Sequence, residues 1–228
     1  MNLEAMQTEK PWYLRWYGVI IISFFSFFLI VLVATGFYIF DRVQSIRANP
    51  DIFSGLVKFP DTEGPNSFSI GSKNPKVTIV EFADYACPFS KNSFPIIRRL
   101  ALKYNSQVKF IYRDFPYISE QSIDLTIAAR CAGEQGLFWQ MHDKLYEQQG
   151  LKTKEELSAL ATQIGVNSAN FNNCQNSNKY QIQIQKDLAD AARLDVQGTP
   201  TWFINGYKFE GDIPEETMER IIQEFLKL

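Results

Sequence analysis

The stretch Cys87-Pro88-Phe89-Ser90 is where this chain concentrates its chemistry. It follows the apolar run Val77-Thr78-Ile79-Val80-Glu81-Phe82 and precedes residues with helical spacing. A cysteine at the start of a helix that follows a strand is placed to react. The helix N-terminus carries partial positive charge and free backbone N–H groups, and both favour the thiolate. Paired-thiol redox loops have the form Cys-x-x-Cys, in which the second thiol resolves the mixed disulfide left by the first. Here the fourth position is Ser90. The motif offers a nucleophile without its resolver.

The elements that must position Cys87 can be read on either side of it. Residues 76–82 are rich in Val and Ile and read as a buried strand. Residues 87–103 fit a helix with Phe94, Ile96, Ile97, Leu100 and Ala101 on one side, and Pro95 should kink it. Residues 108–113 read as a second strand, parallel to the first if the helix makes a crossover. Residues 121–149 form a long helical region, and 155–164 and 179–194 read as further helices. Thr201–Ile204 is a strand, Asn205-Gly206 a two-residue hairpin signal, and residues 207–209 the return strand. An amphipathic helix follows from Ile213. This order predicts a thioredoxin-type α/β core with a helical insertion at about 117–195.

The N-terminal part is different. Residues 16–40 carry no charge, and at ~1.5 Å per residue they outreach the ~30 Å hydrocarbon core of a bilayer. Trp12, Tyr13, Trp16 and Tyr17 flank one end, and Phe37, Tyr38 and Phe40 the other, as an aromatic belt would. The run is too long for a normal signal-peptide core, which favours an uncleaved anchor over a cleaved signal. Lys10 and Arg15 before it balance Arg42 and Arg47 after it, so charge alone does not orient it. Asn49-Pro50, Gly55, Pro60 and Gly64-Pro65 mark a linker. The expected organisation is a tail at 1–16, a transmembrane helix at 17–40, a linker at 41–65 and one domain at 66–228. With 23 basic and 25 acidic residues, a net charge of −2 points to no nucleic-acid partner.

The chain has three cysteines. An odd count in an exported domain points to one pair and one free thiol. Cys87 sits in the reactive context and is the odd one out. Pairing Cys131 with Cys174 would close a loop of about 44 residues, worth about 4 kcal/mol in the chain-entropy model. The alternative is that both are small buried apolar residues. The cysteines lack metal-ligand spacing, so neither a metal nor a cofactor is expected. His142, the only histidine, reads as structural.

Three stretches together carry a resemblance. They are Glu81-Phe82-Ala83-Asp84-Tyr85-Ala86-Cys87-Pro88-Phe89, Ala129-Arg130-Cys131-Ala132-Gly133-Glu134-Gln135-Gly136-Leu137-Phe138-Trp139, and Gly198-Thr199-Pro200-Thr201-Trp202-Phe203-Ile204-Asn205-Gly206. In this order and spacing they resemble the DsbA-like thioredoxin-fold family, and within it the membrane-tethered bacterial branch. The resemblance covers about residues 66–228. It implies that Cys87 is the nucleophile and that Pro88 and Phe89 tune its potential. It implies that Pro200 is a cis-proline facing Cys87, leaving the Thr199 backbone free for an extended peptide. Glu81 matches a buried acid that moves protons beneath the site, and burial would raise its pKa. Ser90 departs from the pattern, where the resolving cysteine usually stands.

The expected activity is therefore that of a thiol:disulfide oxidoreductase acting through one thiol. Ser90 could donate a hydrogen bond to the Cys87 sulfur and nothing more. The partners would be protein or peptide thiols and disulfides, with an external thiol or redox partner to resolve the adduct. Such chemistry belongs in an oxidising compartment, which places the C-terminal domain outside the cell membrane. Other readings stand beside it: a non-redox peptide-binding chaperone module, a glutathione-handling relative, or a dithiol enzyme with an engineered cysteine-to-serine trap.

Overall fold

The computed structural model describes residues 13, 16–48 and 55–228. The expectations for Lys10, Trp12, Arg15 and Asn49-Pro50, and for the side chains of Arg42 and Arg47, lie outside the described residues. The chain divides into two compact units, one N-terminal and the other Gly55–Leu228.

The first unit is helix α1, Trp16–Ala48. Its segment Ile20–Asp41 is long and apolar enough to cross a membrane. No face of that segment is polar, which suits a lipid environment better than a half-buried one.

The second unit is built on a five-stranded mixed sheet of order β1-β3-β2-β4-β5. Its strands are β1 Phe68–Gly71, β2 Val77–Ala83, β3 Val108–Asp114, β4 Thr201–Ile204 and β5 Tyr207–Glu210. Strands β2 and β3 are parallel, with Ile79 opposite Phe110 and Glu81 opposite Tyr112. Both are almost wholly buried, as a parallel pair covered on two faces must be. The crossover between them is α2, Pro88–Lys103. Pro88 opens this helix, where a missing N–H costs nothing. Pro95 lies inside it and the helix continues past.

Strand β4 pairs antiparallel with β2, and β5 with β4. The tight turn between them is Asn205-Gly206, with φ of +48° and +86°. Two consecutive positive φ values match the right-handed twist of the flanking strands. Helix α8, Glu215–Lys227, then closes the chain.

The insertion holds α3 Ser122–Gly133, α4 Phe138–Glu147, α5 Lys154–Gln163, α6 Ser168–Gln175 and α7 Gln181–Arg193. The long helical region at 121–149 is thus two helices. Gly136, at φ +76°, reverses the chain between them, and Leu137 N–H bonds back to the Ala132 carbonyl. One core lies between the insertion and the sheet, with Tyr85, Tyr112, Phe138, Met141, Tyr146 and Phe171 at its centre. The other face packs Val80, Phe82, Ile111, Leu194 and Phe203 together.

A buried ionic network pins the insertion to the sheet. Arg113 donates to Asp187 Oδ1 at 2.6 Å and to Asp190 Oδ2 at 2.7 Å, and Arg130 donates to Asp187 Oδ2 at 2.9 Å and also pairs with Asp114. The guanidinium of Arg113 sits 4.8 Å over the Phe82 ring. Part of the segment read as linker also belongs to this packing. Phe59 N–H donates to the Gly206 carbonyl at 2.8 Å, and the Thr62 carbonyl accepts from Arg113.

Candidate functional site

Cys87 is the N-cap of α2, with extended backbone (φ −79°, ψ 122°). Strand β2, the central strand, ends at Ala83, and the Asp84-Tyr85-Ala86 turn leads the chain into the helix. The Asp84 carboxylate, fully buried, holds that turn: it accepts from Ala86 N–H, and from Tyr117 and Ile118 N–H of the loop after β3, each at 2.8 Å. Three charge-assisted bonds to backbone donors fix the loop pair as one body.

Cys87 is a free thiol and is 2% exposed. Its Sγ donates to the Thr199 carbonyl at 3.2 Å, across 112 residues of sequence. Thr199-Pro200 is a cis peptide. The two ends of the domain therefore meet at this sulfur. Pro88 is the first residue of α2, and Phe89 beside it is 57% exposed.

Glu81 lies in the middle of β2, 1% exposed. Neither carboxylate oxygen has a hydrogen-bond partner among the described residues. Burial pushes its pKa well above the ordinary 4.5, and the nearby Cys87 charge adds to the shift. A carboxyl without partners in an apolar setting holds its proton above the ordinary carboxylate range.

Ser90 is fully buried, and its Oγ has no partner among the described residues. The hydrogen bond expected from Ser90 to the Cys87 sulfur is not made. The thiol instead donates to the Thr199 carbonyl. The Thr199 hydroxyl is also buried without a partner. The Ser90 and Thr199 hydroxyls and the Glu81 carboxyl are thus buried with unused hydrogen-bonding capacity.

Cys131 and Cys174 are joined in a disulfide, with Cα atoms 5.8 Å apart. The bridge ties α3 to α6. Glu134 Oε1 lies 3.0 Å from Cys174 Sγ, a contact and not a hydrogen bond, since a disulfide sulfur carries no proton. The same oxygen accepts from Tyr180 and pairs with Lys179. Cys131, Glu134 and Cys174 have the proximity of metal ligands, but both sulfurs are committed to each other.

His142 is 1% exposed inside an aromatic cluster with Tyr85, Phe94, Tyr112 and Tyr146. Its Nδ1 lies 2.9 Å from Asp143, and burial pushes its pKa down. The ring is a packed core member.

Two contributors carry no sequence signal of their own. One is Asp84, part of a motif but unreadable as a loop anchor. The other is Gln149, whose amide donates to the carbonyls of Tyr85 and Cys87.

The profile of the family described as Thioredoxin matches residues 63–224. The thiol-disulfide exchange protein alpha-DsbA2 from Wolbachia pipientis has a similar structure, with a TM-score of 0.66 at 22% identity, covering 72% of this chain and 89% of that one. A periplasmic thioredoxin-like protein from Salmonella enterica serovar Typhimurium aligns with a TM-score of 0.62 at 28% identity, over 72% of this chain and 92% of that one. Among curated proteins, the Na(+)/H(+) antiporter NhaA 1 of Salinispora arenicola is 28% identical over 154 residues, 67% of this chain and 24% of that protein. The chain spans about a quarter of the length of the curated relatives it matches.

Proposed function

Because the chain belongs to the thioredoxin family, we propose that it is a membrane-anchored, extracytoplasmic thiol:disulfide oxidoreductase working through the single thiol of Cys87. The observation that carries this reading is the place of that thiol. It is the one cysteine left unpaired, at a helix N-terminus and against the Thr199 carbonyl.

The thiol first leaves the Thr199 carbonyl, which an extended substrate backbone then engages by strand addition. Cys87 thiolate attacks one sulfur of the substrate disulfide. A new S–S bond forms to Cys87, and the other substrate sulfur departs as thiolate. Glu81, which holds a proton near the site, exchanges it with the thiol and leaving group through the buried hydroxyls or water. Ser90 has no sulfur with which to expel the adduct. An external thiol must attack it, returning Cys87 as thiolate and carrying the substrate away in a new disulfide. The net result is reduction or shuffling of mixed disulfides, not disulfide donation.

Helix α1 supplies the anchor in this reading, with residues 1–16 cytoplasmic, 17–40 spanning, 41–65 a linker and 66–228 outside. The alpha-DsbA2 neighbour is a thiol-disulfide exchange protein and the Salmonella one is periplasmic, which supports both halves. The antiporter name belongs to relatives of which the chain matches about a quarter, and no ion transport is proposed.

The test is turnover of a peptide mixed disulfide by the full chain in mild detergent, with a small thiol as co-reductant. Catalysis should vanish in Cys87→Ser and persist in the wild type. Equal rates for the two proteins would overturn the proposal.

A further inference from the structure

We propose that Gln149 is a positioning residue for Cys87, and that it ties the helical insertion to the reactive loop. The inference rests on the reading of Cys87 as the working thiol. Gln149 follows α4 and precedes Gly150, which turns at φ +111°. Its side-chain amide reaches the turn between β2 and α2: Nε2 donates to the Tyr85 carbonyl at 2.8 Å and to the Cys87 carbonyl at 3.0 Å. An amide NH2 has two hydrogens, and both are used here.

The two carbonyls flank the turn that aims the thiol. The Cys87 carbonyl is also the first acceptor of α2, taking Lys91 N–H at 3.0 Å. Cys87 itself has no side-chain cap to hold the first turn. Asp84 fixes the turn through its N–H groups, and Gln149 fixes it through its C=O groups. Among the described residues, Gln149 is the side chain that bonds to these two carbonyls.

With both carbonyls held, the first turn of α2 keeps its place at Cys87, where the partial positive charge of the helix N-terminus favours the thiolate. Without the clamp, the Cys87 carbonyl tilts toward water and the first turn loosens. Asparagine, one methylene shorter, cannot span the gap. Leucine fills the space and donates nothing.

The experiment uses full-length protein in mild detergent with Gln149→Leu and Gln149→Asn. Folding is checked by circular dichroism and thermal midpoint. Cys87 alkylation is then followed as a function of pH with iodoacetamide. Loss of the helix-terminus contribution should slow alkylation at pH 7 about two- to fourfold in both variants and move the midpoint of the pH profile up by about 0.5–1 unit. The plateau at high pH should rise by up to about threefold, because a thiolate of higher pKa is the stronger nucleophile. A folded variant with a wild-type pH midpoint would overturn the proposal, since a merely structural residue would change the thermal midpoint alone. If one variant fails to fold, the other decides. If wild-type Cys87 proves unreactive, the oxidoreductase reading fails by itself. The clamp is then judged by exchange of the Lys91 amide hydrogen: faster exchange in the variants supports it, and unchanged exchange overturns it.

Discussion

Replacing Cys131 and Cys174 together by alanine separates stability from chemistry in this domain. The two residues are 43 apart in sequence, so the bridge closes a loop of about 44 residues. The chain-entropy model gives about 13 cal/mol/K for such a loop, or about 4 kcal/mol at 25 °C. Cys131 is 1% and Cys174 8% exposed, and removing two buried sulfurs adds on the order of 1 kcal/mol through the space they leave. A loss of about 5 kcal/mol is a large share of the 5–15 kcal/mol typical of a folded domain. For a domain of this size it lowers the thermal midpoint by about 10–20 °C. Urea unfolding of the full chain, followed by tryptophan fluorescence, reads the change directly. The variant should remain folded at 20 °C with Cys87 alkylated at the wild-type rate, because the bridge joins α3 to α6 while the thiol lies at the start of α2 against Thr199. A loss below about 1 kcal/mol would refute the reasoning, as would a large change in Cys87 reactivity.

Other outcomes follow from the buried charges and the anchor. Glu81 has a raised pKa in the folded chain, so the folded state binds more protons than the unfolded one above pH 4.5. Its stabilising influence is full below that pH and is lost as pH rises through the folded value. Glu81→Gln should therefore gain in urea midpoint relative to wild type between pH 5 and pH 8, while slowing proton-coupled turnover; a parallel pH dependence of the two proteins would rule this out. Arg113→Met leaves Asp187, fully buried, without its main partner, and should cost about 3–5 kcal/mol; retention of wild-type stability would show that the network is dispensable. Protease added outside intact spheroplasts should digest the domain at 66–228, and full protection would reverse the proposed topology.

Much of the scaffold was legible because it follows simple periodicities. Strands β2 and β3 are apolar runs, and the Asn205-Gly206 turn has one conformation that suits it. Cys87 could be found because a cysteine between a strand and a helix has few other reasons to be there. Strand β1 was not legible: it has four residues, alternates between half-buried and exposed, and ends at Gly71. Helix α6 was missed because Ser168–Gln175 is mostly polar and is started by the Asn167 cap, which bonds Asn170 N–H. The break between α3 and α4 depends on the backbone sign at Gly136, which apolar spacing does not encode. Packing of Phe59 and Thr62 onto the domain joins residues more than 50 positions apart, from a segment whose Pro and Gly content reads as linker.

The site divides the same way. Cys87, Glu81 and Thr199-Pro200 were recognisable through their motifs. The direction of the thiol was not, since it depends on where β4 enters the sheet. Ser90 was read as a hydrogen-bond donor to sulfur, yet the chain points the thiol at a backbone carbonyl and leaves the hydroxyl unsatisfied. Gln149 and Asp84 act on backbone groups, and a polar residue that binds backbone leaves no pattern in sequence.

The central claim is that one thiol, Cys87, carries the chemistry. Full-length protein should be incubated with a peptide disulfide at pH 7 and its adducts mapped by mass spectrometry without reductant. The account predicts one stable mixed disulfide, on the peptide containing Cys87, released by an added small thiol, with Cys131 and Cys174 still joined. Absence of that adduct, or an adduct on Cys131 or Cys174 instead, would contradict it.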